Sequence, residues 1–175
     1  VWVFSPMTHD GAIGTIQPRA ESGQELRKRG RLFRTDAVQA GGTLDLDVNK
    51  LNVDLLSLSA HKFYGPKGVG LLYCRTGVKI EPIMFGGGQE KRLRPSTYNT
   101  PGLVGMATAL KLAVGNQAEE NKRLTKMRDR TIANILDKIP DCRLNGHSHF
   151  RLPNNINISV SRVEGESLVL RLDIA

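Results

Sequence analysis

One lysine stands out by its setting. The stretch Ser57-Leu58-Ser59-Ala60-His61-Lys62-Phe63-Tyr64-Gly65-Pro66-Lys67-Gly68 passes from alternating small polar and apolar residues, through a His-Lys pair, into two aromatics and a tight turn. A lysine just past a strand end lies at the carboxyl edge of an α/β sheet, where such sheets bind ligands. Partial desolvation at such an edge favours the neutral amine, the form that condenses with an aldehyde. Ser59, His61 and neighbouring backbone N–H groups can hold a phosphate through charge-assisted hydrogen bonds. The stretch Thr35-Asp36-Ala37-Val38-Gln39 places a carboxylate 26 positions before Lys62. That interval is one crossover unit, which brings two parallel strand ends side by side. Asp36 can then pair with the protonated nitrogen of a pyridine ring and keep that ring an electron sink, as pyridoxal phosphate (PLP) requires. Gln39 can donate to the ring hydroxyl oxygen. Singly, such a lysine is usually solvated and such an aspartate usually caps a turn; the two together, inside one string, point to chemistry.

These residues need strands and turns to carry them. Val1-Trp2-Val3-Phe4 reads as the end of a buried strand, and Ser5 to Gly14 as turns. Ala20 to Gly30 has helical composition with Gly30 as its C-cap. Leu32 to Thr35 is a strand that delivers Asp36. Val48 to Leu51 reads as a helical turn, Val53 to Leu58 as a strand with Asp54 inside it, and Gly68 to Tyr73 as a further strand. Strands alternating with helical segments predict an α/β fold with parallel strands. From Phe85-Gly86-Gly87-Gly88 to Pro101 the chain is polar and without apolar period. Gly102 to Leu112 and Glu119 to Ile139 then read as helices, the second ended by Pro140. Asn155 to Val160 alternates as a half-buried strand, and Glu166 to Leu172 starts a helix. The later part thus reads helix, helix, strand, helix, and a boundary near Asn116 separates residues 1–116 from 117–175. Both ends fall inside elements, which predicts a fragment of a longer chain.

A net charge of +8 invites a nucleic-acid reading, but the bases are scattered and aromatic residues are only 5% of the chain, too few for a stacking platform. Lys122, Arg123, Lys126, Arg128 and Arg130 alternate with Glu119, Glu120 and Asp129, as on a solvated helix face. A basic pocket for an anionic cofactor accounts for part of the charge. No apolar run reaches the roughly 20 residues of a membrane span. Cys74 and Cys142, the two cysteines, are far apart and fit a reducing, cytoplasmic compartment better than a disulfide framework. Gly86-Gly87-Gly88 lacks the Gly-Lys-Ser/Thr ending of a phosphate-binding P-loop and reads as a connector. His147 and His149 have no cysteine or acid beside them, which favours a solvated turn over a metal site. His9 is expected at the surface.

The quoted strings, with Gly86-Gly87-Gly88-Gln89-Glu90, Ile13-Gly14-Thr15-Ile16-Gln17-Pro18 and Val163-Glu164-Gly165-Glu166-Ser167, closely resemble the cysteine desulfurases, PLP enzymes of the class V aminotransferase group. The resemblance runs over essentially the whole chain. It implies the aspartate-aminotransferase-like fold (PLP fold type I): part of the large mixed-sheet domain, followed by part of a small α+β domain. It implies Lys62 as the Schiff-base lysine and proton carrier, Asp36 on the pyridine nitrogen, Gln39 on the ring hydroxyl, and Ser59 and His61 on the phosphate. It also implies that Thr97 reaches the phosphate of a neighbouring subunit in a homodimer. The substrate would be L-cysteine. The sulfur would pass as an enzyme persulfide to an acceptor or iron–sulfur scaffold protein, for cluster assembly or tRNA thiolation. A selenocysteine lyase, another class V aminotransferase or a non-catalytic paralogue are the alternatives.

The family pattern also shows where this sequence departs. Its nucleophilic cysteine is expected beyond Ala175, leaving Cys74 and Cys142 structural. Asp10-Gly11-Ala12 stands where the family has Asn-Asn-Glu, which removes an expected asparagine contact near the cofactor. Arg34 stands where the family usually has a histidine. Pro95-Ser96-Thr97-Tyr98-Asn99 replaces Ser-Gly-Thr-Glu-Asn.

Overall fold

The computed structural model describes residues 3–174, so Val1 and Trp2 of the expected first strand lie outside it. Val3–Phe4 forms β1, Arg19–Lys28 α1, Leu32–Asp36 β2, Leu55–Ser59 β3 and Gly70–Cys74 β4. They make one four-stranded sheet in the order β1-β2-β3-β4. The first two pairings are parallel and β3–β4 is antiparallel, so the sheet is mixed. β1 differs from expectation in one respect: both of its residues are half exposed, because it is the edge strand of this sheet.

Alternation in β2 and β3 sorts their side chains onto two faces. Phe33, Thr35, Leu56 and Leu58 are buried, while Arg34, Asp36, Ser57 and Ser59 are only partly covered. The buried set joins Val53, Ala60, Phe63, Val69 and Met106 in the core of this unit. Met106 comes from α2 (Thr100–Gly115), which starts where the Asn99 side chain accepts the Gly102 N–H at 3.1 Å. Such a cap satisfies a helix-end donor that has no intrahelical partner.

Asp54 lies just before β3 and is buried, yet every contact around it suits a carboxylate. Its Oδ2 accepts the Phe33 N–H at 2.9 Å, and its Oδ1 sits 3.3 Å from Arg75 Nε. Arg75 also donates to the Val53 carbonyl at 2.8 Å through Nη2. This cluster ties the starts of β2 and β3 to the end of β4. It holds the strands in register at the end of the sheet away from Lys62.

Residues through His9 together with Gln17–Ala118 form one compact unit; Asp10–Ile16 with the chain from Glu119 onward form another. The second contains most of α3 (Gln117–Lys138), β5 (Cys142–Leu144), β6 (Ile158–Val160) and α4 (Gly165–Ile174). β5 and β6 pair antiparallel. The order is therefore helix, strand, strand, helix. β5 escaped the sequence reading because three residues are too few to display alternation. Arg128, expected on a solvated face, is instead buried: its Nη1 donates to the carbonyls of Arg151 and Leu152 at 3.1 and 2.9 Å. Arg151 is also buried and donates to the carbonyls of Asn145, His147 and Asn155. Burial, and secondarily the neighbouring Arg128 cation, lower the Arg151 pKa from its ordinary value. His147 Nδ1 accepts the N–H groups of His149 and Phe150, both at 3.0 Å, so one ring nitrogen shapes the turn.

Phe63 is 2% exposed and is the core anchor of the turn that carries Lys62. Replacing Phe63 with alanine is expected to cost about 3–5 kcal/mol, as for other buried aromatics. Urea unfolding of wild type and variant measures it; a loss under about 1 kcal/mol would show that the ring is not the anchor.

Candidate active site

The parallel pairing of β2 and β3 sets Asp36 opposite Ser57. Two residues further on, Ser59 closes β3, and the chain turns at once into a short 3-10 helix, Ala60–Phe63. Asp36 and Lys62 therefore both lie at the carboxyl ends of adjacent parallel strands, where α/β sheets take ligands. The turn is held at its root and exit: Ala60 N–H donates to the Val69 carbonyl at 3.0 Å, and Gly65 N–H to the Ala60 carbonyl at 2.9 Å. Ala60 and Phe63 point into the core, while His61 and Lys62 are exposed. Tyr64 follows with φ 66°, a left-handed backbone rare for an aromatic residue, and its ring is almost wholly exposed. Strain of this kind costs roughly 1–2 kcal/mol and persists only where surrounding contacts impose it.

Ser59 Oγ and His61 Nδ1 lie 2.9 Å apart. A hydroxyl and an imidazole, each able to donate to an anion, thus stand next to the lysine. Asp36 Oδ1 accepts the Val38 N–H at 3.0 Å, which fixes the carboxylate and leaves Oδ2 for an incoming N–H group. Gln39, exposed, lies in the turn that follows. Thr97 is exposed on the irregular stretch between the 3-10 turn Gln89–Arg92 and α2. An amine, a paired serine and histidine, and an oriented carboxylate on one sheet edge are the chemical set that a phosphorylated pyridine aldehyde needs, so the residues present fit PLP.

Two contributors were not visible in the sequence. Thr8 and His9 are both buried, His9 being 2% exposed, against the expectation that His9 would be at the surface. The reason is that residues 6–8 run alongside the end of β2, with a parallel bridge between Met7 and Asp36. Thr8 N–H and Thr8 Oγ1 donate to the Asp36 carbonyl at 2.9 and 3.0 Å, and Asp36 N–H donates to the Pro6 carbonyl at 3.4 Å. Thr8 Oγ1 also meets His9 Nδ1 at 3.1 Å. The second contributor is Arg34, whose guanidinium bonds Ser5 Oγ and Ser57 Oγ. Cys74 and Cys142 are partly buried free thiols in β4 and β5.

Residues 3–175 match the family described as "Aminotransferase class-V". The chain is 51% identical over 174 residues to "Cysteine desulfurase IscS" of Clostridium botulinum, covering 98% of this chain and 44% of that protein. It is 50% identical over 171 residues to "Cysteine desulfurase IscS" of Methanosarcina thermophila, covering 98% of this chain and 42% of that protein. Among solved structures, a "NIFS-LIKE PROTEIN" superposes with a TM-score of 0.92 at 37% identity, over 98% of this chain and 47% of that one. The chain thus spans less than half the length of the relatives it matches. The similarity bears out the expected α/β fold of the aspartate-aminotransferase type.

Thr8→Val keeps the shape of the side chain and removes its hydroxyl donor. It is expected to lower stability by about 1–2 kcal/mol, because the hydroxyl is buried and bonded to the strand end that carries Asp36. Denaturant midpoints test this, and an unchanged midpoint would mean that the backbone bond alone holds the strand end.

Proposed function

The chain belongs to the class V aminotransferase family, and from that premise we propose that it is the cofactor-bearing part of a PLP-dependent cysteine desulfurase. The reading is that the complete protein takes sulfur from L-cysteine, leaves L-alanine, and carries the sulfur as a persulfide on a thiol outside these residues. The observation that carries it is the parallel β2–β3 pairing, with Asp36 ending one strand and the Lys62 turn following the other. Family membership and the roughly 50% identity to proteins named cysteine desulfurase add their weight.

Bound PLP supplies an aldehyde for amines and a pyridinium ring that draws electron density from the substrate carbon. The residues of this chain would hold and orient that group. With the cofactor bound, Lys62 Nζ would hold it covalently and would move a proton at the substrate α-carbon. Asp36 Oδ2 would keep the ring nitrogen protonated, while Oδ1 keeps its bond to Val38 N–H. Ser59 Oγ and His61, already 2.9 Å apart, bind the phosphate. Gln39 donates to the ring hydroxyl oxygen. Thr97 serves the phosphate site of a second copy in a homodimer, and an acceptor or iron–sulfur scaffold protein collects the sulfur. Among the described residues no helix is long and apolar enough to cross a membrane, and the free thiols of Cys74 and Cys142 suit a reducing, cytoplasmic setting.

The test uses the full-length protein. PLP should give a visible absorbance band, and borohydride reduction followed by peptide mass analysis should find the cofactor on Lys62. Lys62→Ala should abolish the band and lower alanine formation from L-cysteine by about 10²–10⁴-fold or more, the range for losing a positioned acid–base group. A band that survives Lys62→Ala would overturn the site. A Lys62-dependent band without alanine formation would overturn the desulfurase activity.

A further inference from the structure

Arg34 and Asp36 are two residues apart on β2 and so share one face of the sheet. The Arg34 guanidinium donates to Ser5 Oγ through Nη1 at 2.8 Å and to Ser57 Oγ through Nη2 at 3.4 Å. Ser5 follows β1, and Ser57 is the register partner of Asp36 on β3. One planar cation thus fastens the chain leaving β1, β2 itself and β3, one pleat repeat before the carboxylate. A guanidinium suits this task because its donors form a rigid fork, which a single-point ammonium cannot match.

From this we propose that Arg34 is a positioning residue for the cofactor and acts through Asp36: the Ser5–Arg34–Ser57 strap fixes the strand end from which Asp36 meets the ring nitrogen. The inference rests on the PLP reading above. Contacts at the strand end alone do not supply the same constraint. The bonds from Thr8 and Pro6 grip the Asp36 backbone toward β1, and Ala37 N–H reaches the Ser57 carbonyl at 3.0 Å toward β3. Arg34 is the side chain that grips both neighbours at once, on the face that Asp36 occupies.

The experiment is a double-mutant cycle in the full-length protein, read by the PLP dissociation constant and the visible spectrum. Arg34→Gln should raise the dissociation constant about tenfold, the size expected on losing a charge-assisted contact. It should also shift the visible band, which a purely structural loss elsewhere would not do. In an Asp36→Asn background the same substitution should have no further effect on either readout. Arg34→Lys should recover only part of the affinity. If Arg34→Gln does not fold, Ser57→Ala, which removes one end of the strap, replaces it in the cycle with the same expected pattern. Equal weakening with and without Asp36, or no weakening at all, would overturn the proposal. Loss of the band in Lys62→Ala is measured alongside, so failure of the underlying cofactor reading is seen separately.

Discussion

The parallel seam between β2 and β3 is the constraint on which the candidate site depends. Three register pairs, Arg34 with Leu55, Thr35 with Leu56 and Asp36 with Ser57, decide how far along the sheet the carboxylate stands from the turn that bears the lysine. The seam is pinned at both ends by polar contacts that the hydrophobic pattern alone could not provide. At the start, Asp54 takes the Phe33 N–H and faces Arg75; at the finish, Ala37 N–H reaches across to the Ser57 carbonyl. Between these ends the apolar face supplies the driving force, and alternation supplies the direction. One face of the two short strands is core, and the other, beyond buried Leu55, presents arginine, aspartate and two serines.

The same logic explains the lysine turn. A side chain that must meet a ligand has to be exposed, yet its backbone must not wander. Here the constraint comes from flanking residues, with Ala60 and Phe63 buried on either side of the exposed His61-Lys62 pair, and with Tyr64 forced into a left-handed conformation. Rigidity is borrowed from the core one residue away, which is how a reactive group can be both accessible and fixed.

How far the sequence carried this picture depended on the range of the forces. β2, β3, α1, α2 and the lysine turn were legible because each rests on local composition or a short period: Asp36 and Lys62 were found by their spacing and by the small, polar and aromatic residues around them. β5 was missed because it is too short to show a period, and His9 and Arg128 were misread because their environments come from distant chain. His9 is buried by the approach of residues 6–8 to β2, and Arg128 is turned inward by carbonyls 23 and 24 positions away. Arg34 first drew notice as a departure from a family pattern; its two serine partners, 29 and 23 positions distant, become evident only once the strands are paired. The excursion of Asp10–Ile16 into the second unit was likewise invisible, since seven turn-rich residues give no sign of which core they will join.

The strict two-residue parity of β2 has a consequence for how this protein can diverge. Losing or gaining one residue between Phe33 and Asp36 would put the two on the same face, turning either the carboxylate toward Leu56 and Leu58 or the core aromatic toward solvent. Substitution is therefore open to this strand while a change of length is closed. The irregular stretch 76–99 belongs to no strand or α-helix and carries no such parity.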